Sequence, residues 1–154
     1  MDEDAVSDGG GVELNPLLAA HVQQDTDEEM MSLTVLHDGG AVIVAVTGEI
    51  DLATAAGLRD ALSAELAAGP DVLIVDLDGV EFFTSVGLTT LALTQRSAEE
   101  RGVALRVIAT SRATLRPLQI TGMADDLALY ASRADAIADQ PLRVAGALPA
   151  DPAN

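Results

Sequence analysis

Residues 72–88, VLIVDLDGVEFFTSVGL, constrain the fold more than any other stretch of the chain. Val72 to Leu77 reads as a central strand of a parallel sheet, since VLIV at 72–75 is continuously apolar, as strands covered on both faces tend to be. A turn then sets Ser85 at the start of a helix whose Leu88, Leu91, Ala92 and Gln95 fall on one stripe. A hydroxyl at a helix start can cap the helix or carry a phosphate beside its free N–H groups. Local sequence leaves both uses of Ser85 open.

The flanking pattern alternates strand and helix. Leu33–Leu36 and Ala41–Thr47 are β-rich runs separated by HDGG, and Asp38-Gly39 is a tight-turn signal, so the two form a hairpin. Gly48-Glu49-Ile50-Asp51 ends the second strand. Leu58, Leu62 and Leu66 then recur every four residues until Gly69-Pro70, which predicts a helix crossing over the sheet. The helix that begins near Ser85 stops at Arg101-Gly102 and leads into a strand over Val103–Ala109. Ser111 can cap a helix closed by Gly122, with a short strand over Leu127–Tyr130 and a last helix around Ser132–Ala138. The expected fold is α/β: a mixed sheet of about five strands packed by about four helices.

Composition removes several classes of function. Only 2% of the residues are aromatic and the formal net charge is −17, so stacking on bases is scarce and phosphate backbones and anionic lipid are repelled. Neither direct nucleic-acid binding nor membrane-surface binding is expected. Cysteine is absent and the histidines are two, His21 and His37, which argues against a disulfide, a thiolate nucleophile or a metal site. The basic residues are arginines 59, 96, 101, 106, 112, 116, 133 and 143, so no lysine can form a Schiff base or a P-loop contact. The first residues are acidic and no apolar run nears the roughly 20 needed to span a bilayer, which leads us to expect a cytoplasmic protein.

Charge also divides the chain. Residues 1–31 carry a net −9, residues 32–139 a net −8, and residues 140–154 none. The first segment, with GGG and QQDTDEE, has too little periodic apolar content to offset its ordering entropy and reads as an acidic disordered tail. Within it NPLLAAHV, residues 15–22, has the composition of a transient helix or a short binding segment, and more simply of a few apolar residues in a tail. Residues 140–154, rich in Pro and Ala, read as a second tail.

GEID at 48–51, VDLDGVEFFTSVGL at 75–88 and LRPLQITGMADDLALY at 115–130, in this order and spacing, resemble the STAS-domain anti-sigma factor antagonists over about residues 32–138. The resemblance implies a domain that binds an anti-sigma factor, usually a serine kinase of the histidine-kinase ATPase fold, and thereby frees a sigma factor. The kinase reverses this by phosphorylating a serine in a pattern like D-S-[ST]-G-L, which stands here as Thr84-Ser85-Val86-Gly87-Leu88. Thr84 replaces the usual acid and Val86 the small hydroxyl residue. Ser85 is therefore the expected phosphoacceptor, with Thr84 as the alternative. Asp51, Thr84, Ser85, Val86 and Gly87 are the expected partner-binding residues. Asp51 reads equally as a helix-capping carboxylate. Gly87 reads as a residue that lets the helix pack closely.

Two enzyme readings fail on the residues. FTSVG lacks the first glycine of the G-x-S-x-G elbow, where Phe83 stands, and no histidine follows Ser85 as that hydrolase order requires. A phospho-aspartate receiver built on Asp76 would resemble a family that uses a lysine, and this chain has none. We expect a binding module without catalytic residues, cofactor or metal, a monomer or weak dimer. The alternative is a STAS subunit or scaffold without a phosphorylation cycle, as in a lipid-transport ATPase assembly.

Overall fold

A computed structural model describes residues 21–22 and 30–142. The elements in chain order are β1 (His21–Val22), β2 (Met31–Asp38), β3 (Ala41–Ile50), α1 (Ala55–Ala67), β4 (Val72–Phe83), α2 (Ser85–Arg101), β5 (Ala104–Ile108), α3 (Arg112–Ile120), α4 (Met123–Asp126), β6 (Ala128–Tyr130) and α5 (Arg133–Ala138). They form one sheet in the order β1-β2-β3-β4-β5-β6. The β1/β2 and β2/β3 pairs are antiparallel, and β3, β4, β5 and β6 run parallel. The hairpin falls where the turn signal lies, with Asp38 opposite Ala41 across Gly39-Gly40.

Strand alternation sends side chains to both faces, and both are covered where the parallel strands overlap. Leu73, Val75 and Leu77 of β4 and Val42, Val44 and Val46 of β3 face a large core closed by Leu58, Leu62 and Leu66 of α1, Leu91 and Ala98 of α2 and Leu118 of α3. Ile74, Ile43 and Ile108 point the other way, where Tyr130 of β6 and Ala136 of α5 close a smaller cluster. Burying a Leu, Ile or Val side chain stabilises the fold by about 1.5–3 kcal/mol, so VLIV contributes to both layers at once.

Polar ties hold α5 down. Arg133 Nε donates to Asp76 Oδ2 at 2.8 Å and Arg106 Nη1 donates to the Ala136 carbonyl at 2.8 Å. The Tyr130 hydroxyl donates to Asp139. Burial, and then that hydrogen bond to a carboxylate, push the Tyr130 pKa up to about 12.

Three local features differ from expectation. The central strand does not stop at Leu77 but runs to Phe83, pairing with β3 as far as Ile50↔Phe83, whereas β5 pairs only with Val72–Asp76. Asp78, Gly79 and Glu81 hide this continuation, because register shifts after Ala45 and after Gly48 break the two-residue period and leave Leu77, Val80 and Phe83 buried three apart. The buried face of α2 is Gly87, Thr90, Leu91, Thr94 and Ala98 rather than a stripe through Ala92 and Gln95. Its threonines tolerate burial because Thr90 Oγ1 donates to the Val86 carbonyl at 2.8 Å and Thr94 Oγ1 to the Thr90 carbonyl at 2.7 Å. Finally, α4 is an extra helical turn after Gly122.

Of the two expected tails, residues 1–20, 23–29 and 143–154 lie outside the described residues, as does most of NPLLAAHV. His21 and Val22 pair with Thr34 and Leu33 at the sheet edge. At the other end the Leu142 N–H donates to the Leu129 carbonyl at 2.6 Å, which ties the chain to β6 beyond residue 139.

Candidate functional site

The long β4 carries the chain to the same sheet end as the end of β3, and there two junctions are joined. The Ile50 carbonyl accepts both the Thr84 N–H and Thr84 Oγ1, each at 3.1 Å. Residues 34 apart in sequence are thereby fixed side by side. Gly48, just before, has φ +97 and a Cβ there would overlap the Met30 carbonyl, so only glycine fits where β3 passes the start of β2.

On the β3 side, Asp51 holds the turn into α1. Its Oδ1 accepts from Ala53 N at 3.0 Å and Thr54 N at 3.2 Å, while its own N–H donates to Thr54 Oγ1 at 3.0 Å. Thr54 is fully buried and its hydroxyl also donates to the Glu49 carbonyl at 2.9 Å. The Asp51 carboxylate thus does capping work, satisfying N–H groups ahead of the helix, and remains half-exposed next to the joined junctions.

On the β4 side, the N-cap of α2 is Thr84, not Ser85. Thr84 has extended backbone angles (φ −101, ψ −179), and its carbonyl accepts from Gly87 N at 2.9 Å and Leu88 N at 3.3 Å. Ser85 is the first helical residue and is exposed. None of the side-chain hydrogen bonds among the described residues uses Ser85 Oγ, and its carbonyl accepts from Thr89 Oγ1 one turn on. Val86 is partly buried. Gly87, grouped with the partner-contacting residues from sequence, is instead buried. A Cβ there would lie 2.6 Å from the Phe83 ring and 3.0 Å from Ile50, so Gly87 acts by letting α2 sit close on the strand ends.

Sequence reasoning missed two side chains at this end. Leu52, next to Asp51, is 84% exposed and Phe82, next to Phe83, is 53% exposed. A large apolar residue inside the tight turn after GEID was the available signal for Leu52. Phe82 carried none, because only the register shifts turn it outward. Both lie among Glu49, Asp51 and Glu81, and between Asp38 and Gln95 the only basic residue is Arg59. The site is an acidic sheet end with exposed apolar side chains and one free hydroxyl at a helix start.

No described helix is long and apolar enough to cross a membrane. Among the described residues no cluster of His, Cys, Asp and Glu could hold a metal ion.

A family model described as STAS domain matches residues 32–136. The chain is 35% identical over 109 residues to the anti-sigma-F factor antagonist RsfB of Mycobacterium tuberculosis, spanning 71% of this chain and 88% of the relative. A crystal structure of an anti-sigma factor antagonist from Mycobacterium paratuberculosis superposes with a TM-score of 0.68 at 36% identity, covering 72% of this chain and 94% of that one. The phosphorylated form of the Bacillus cell fate determinant SpoIIAA superposes with a TM-score of 0.56 at 17% identity, over 70% of this chain and 98% of that one, a likeness of fold.

Proposed function

The chain belongs to the STAS-domain family of anti-sigma factor antagonists, and from that premise we propose that it binds an anti-sigma factor of the serine-kinase type while Ser85 is free and releases it when Ser85 is phosphorylated. Binding frees a sigma factor; release lets the anti-sigma factor capture it again. The observation that carries this reading is the exposed Ser85 hydroxyl, which makes no side-chain hydrogen bond among the described residues, beside Asp51, Leu52 and Phe82 at one sheet end. In the modification, Ser85 Oγ attacks the γ-phosphorus of ATP, the bridging bond to ADP breaks, and the hydroxyl proton passes to a base supplied by the kinase.

Magnitudes decide how the switch acts. A phosphate adds about −1.5 to −2 charge at neutral pH. The N-terminus of α2 favours that charge by only about 0.3–1 kcal/mol. Like-charge juxtaposition or desolvation at an interface costs several kcal/mol, and each 1.4 kcal/mol is tenfold in affinity. Repulsion at the interface wins, so the phosphate ejects the partner and leaves the fold standing.

The module acts by binding rather than catalysis, in the cytoplasm, as a monomer or weak dimer. It uses no cofactor or metal and contacts neither nucleic acid nor membrane. The named relatives favour this reading over a transport-assembly subunit.

Incubation with kinase-type anti-sigma factors and ATP, followed by mass spectrometric mapping, is expected to place phosphate on Ser85. Ser85→Asp is expected to weaken anti-sigma binding by at least about a hundredfold, in line with a penalty of several kcal/mol, and Ser85→Ala to bind without being released by ATP. Binding that ignores both substitutions, with no label at Ser85, would overturn the switch.

A further inference from the structure

Resting on the reading of Ser85 as the modified residue, we propose that Thr84 is the positioning residue of that site and not a second phosphoacceptor. Thr84 sits where a helix-capping hydroxyl would turn back to accept an N–H of the first turn, yet it makes no such bond. Its Oγ1 reaches across instead and donates to the Ile50 carbonyl, beside the bond that its own N–H makes to the same oxygen. Its carbonyl meanwhile receives Gly87 N and Leu88 N, which open α2. One residue thus holds the end of β3 on one side and the first turn of the helix on the other.

The Ile50 carbonyl is itself anchored, since Ile50 is buried and paired with Phe83 while Asp51 braces the following turn. Ser85 inherits its orientation from that anchor and stands exposed on the first helical residue. The Thr84 hydroxyl is half-buried and its proton is engaged, so the two neighbouring hydroxyls have separate tasks. A carboxylate at this position could not perform Thr84's task, because it has no proton to donate and would face the Ile50 oxygen as a second acceptor. The departure from an acid at 84 therefore replaces a charge with a mechanical tie.

The test uses the full chain with phosphoserine installed genetically at position 85, so that no kinase or partner is needed. Phosphorus NMR titration follows the second ionisation of the phosphate. With Thr84, and with the conservative Thr84→Ser, the phosphate is held against the helix start and gives up its second proton at a lower pH than in the variants that cannot donate, the carboxylates of Glu49, Asp51 and Glu81 being common to all. In Thr84→Val and Thr84→Ala, which keep a small side chain but cannot donate, that proton leaves at a higher pH. In the unmodified chain the residue-84 amide is expected to exchange roughly fivefold faster in both variants, as the loss of about one hydrogen bond requires. Equal ionisation and equal exchange in the folded variants would overturn the positioning role, as would phosphate mapped to Thr84 in the separate kinase incubation of the unmodified chain. The first result leaves the switch at Ser85 to stand or fall on partner release, measured separately.

Discussion

At Gly87 the absence of one carbon decides whether the helix that presents Ser85 can approach the strand ends. Adding it brings a Cβ to 2.6 Å from the Phe83 ring, an overlap that backbone or ring must relieve. Overpacking of this kind costs about 1–3 kcal/mol. Gly87→Ala is expected to lower the urea midpoint accordingly with little change in the denaturant slope, and a midpoint equal to that of the unsubstituted chain would show that α2 shifts freely. Leu52 offers the opposite case. At 84% exposure its side chain contributes little to the core, so Leu52→Asp should leave the unfolding free energy from urea titration within about 0.5 kcal/mol of the original. It should still weaken anti-sigma binding at least about tenfold, a loss of about 1.4 kcal/mol that calorimetry can read. Unchanged affinity would remove Leu52 from the docking surface.

Among the elements, α5 leans on polar ties, because it is six residues long and buries one residue, Ala136. Isolated helices of that length are marginal, so tertiary contacts hold it in place. Tyr130 is one such contact, with a pKa raised from 10.0 to about 12 by burial and by its bond to Asp139. The sign follows from linkage. The folded state keeps the proton longer than the unfolded chain, so the stabilisation is fully present below pH 10 and is lost as pH rises toward 12. Urea midpoints are expected to fall across this alkaline window in the unsubstituted chain and to fall less in Tyr130→Phe. Identical pH profiles would show that the phenol is not coupled to folding.

For the whole molecule, a net charge of −17 acts on folding and on association in opposite directions as salt rises. Salt shortens the screening length from about 30 Å at 0.01 M to about 8 Å at 0.15 M, which relieves self-repulsion within the chain and weakens any attraction between its acidic end and basic groups on a partner. The melting temperature is expected to rise between low and physiological salt, while the association rate constant with the anti-sigma factor falls, by about tenfold or more if the acidic end steers encounter. An association rate indifferent to salt would place the docking surface away from Glu49, Asp51 and Glu81.

What the sequence determined by itself was the order and kind of the elements other than β1 and α4. Each rests on signals within a few residues: the leucines of α1, the VLIV of β4, the Asp38-Gly39 turn, and the glycine stops after α2 and α3. The motifs GEID and FTSVGL were legible as a candidate site through their likeness to the family, and both sit at element ends. The tertiary structure alone decided how those ends meet. The Ile50–Thr84 tie spans 34 residues, the continuation of β4 to Phe83 depends on register shifts, and the buried face of α2 depends on how closely Gly87 lets it approach. Hydrogen bonds across strands and packing across layers depend on residues distant in the chain. No short window could therefore reveal that Thr84 turns inward and Ser85 outward.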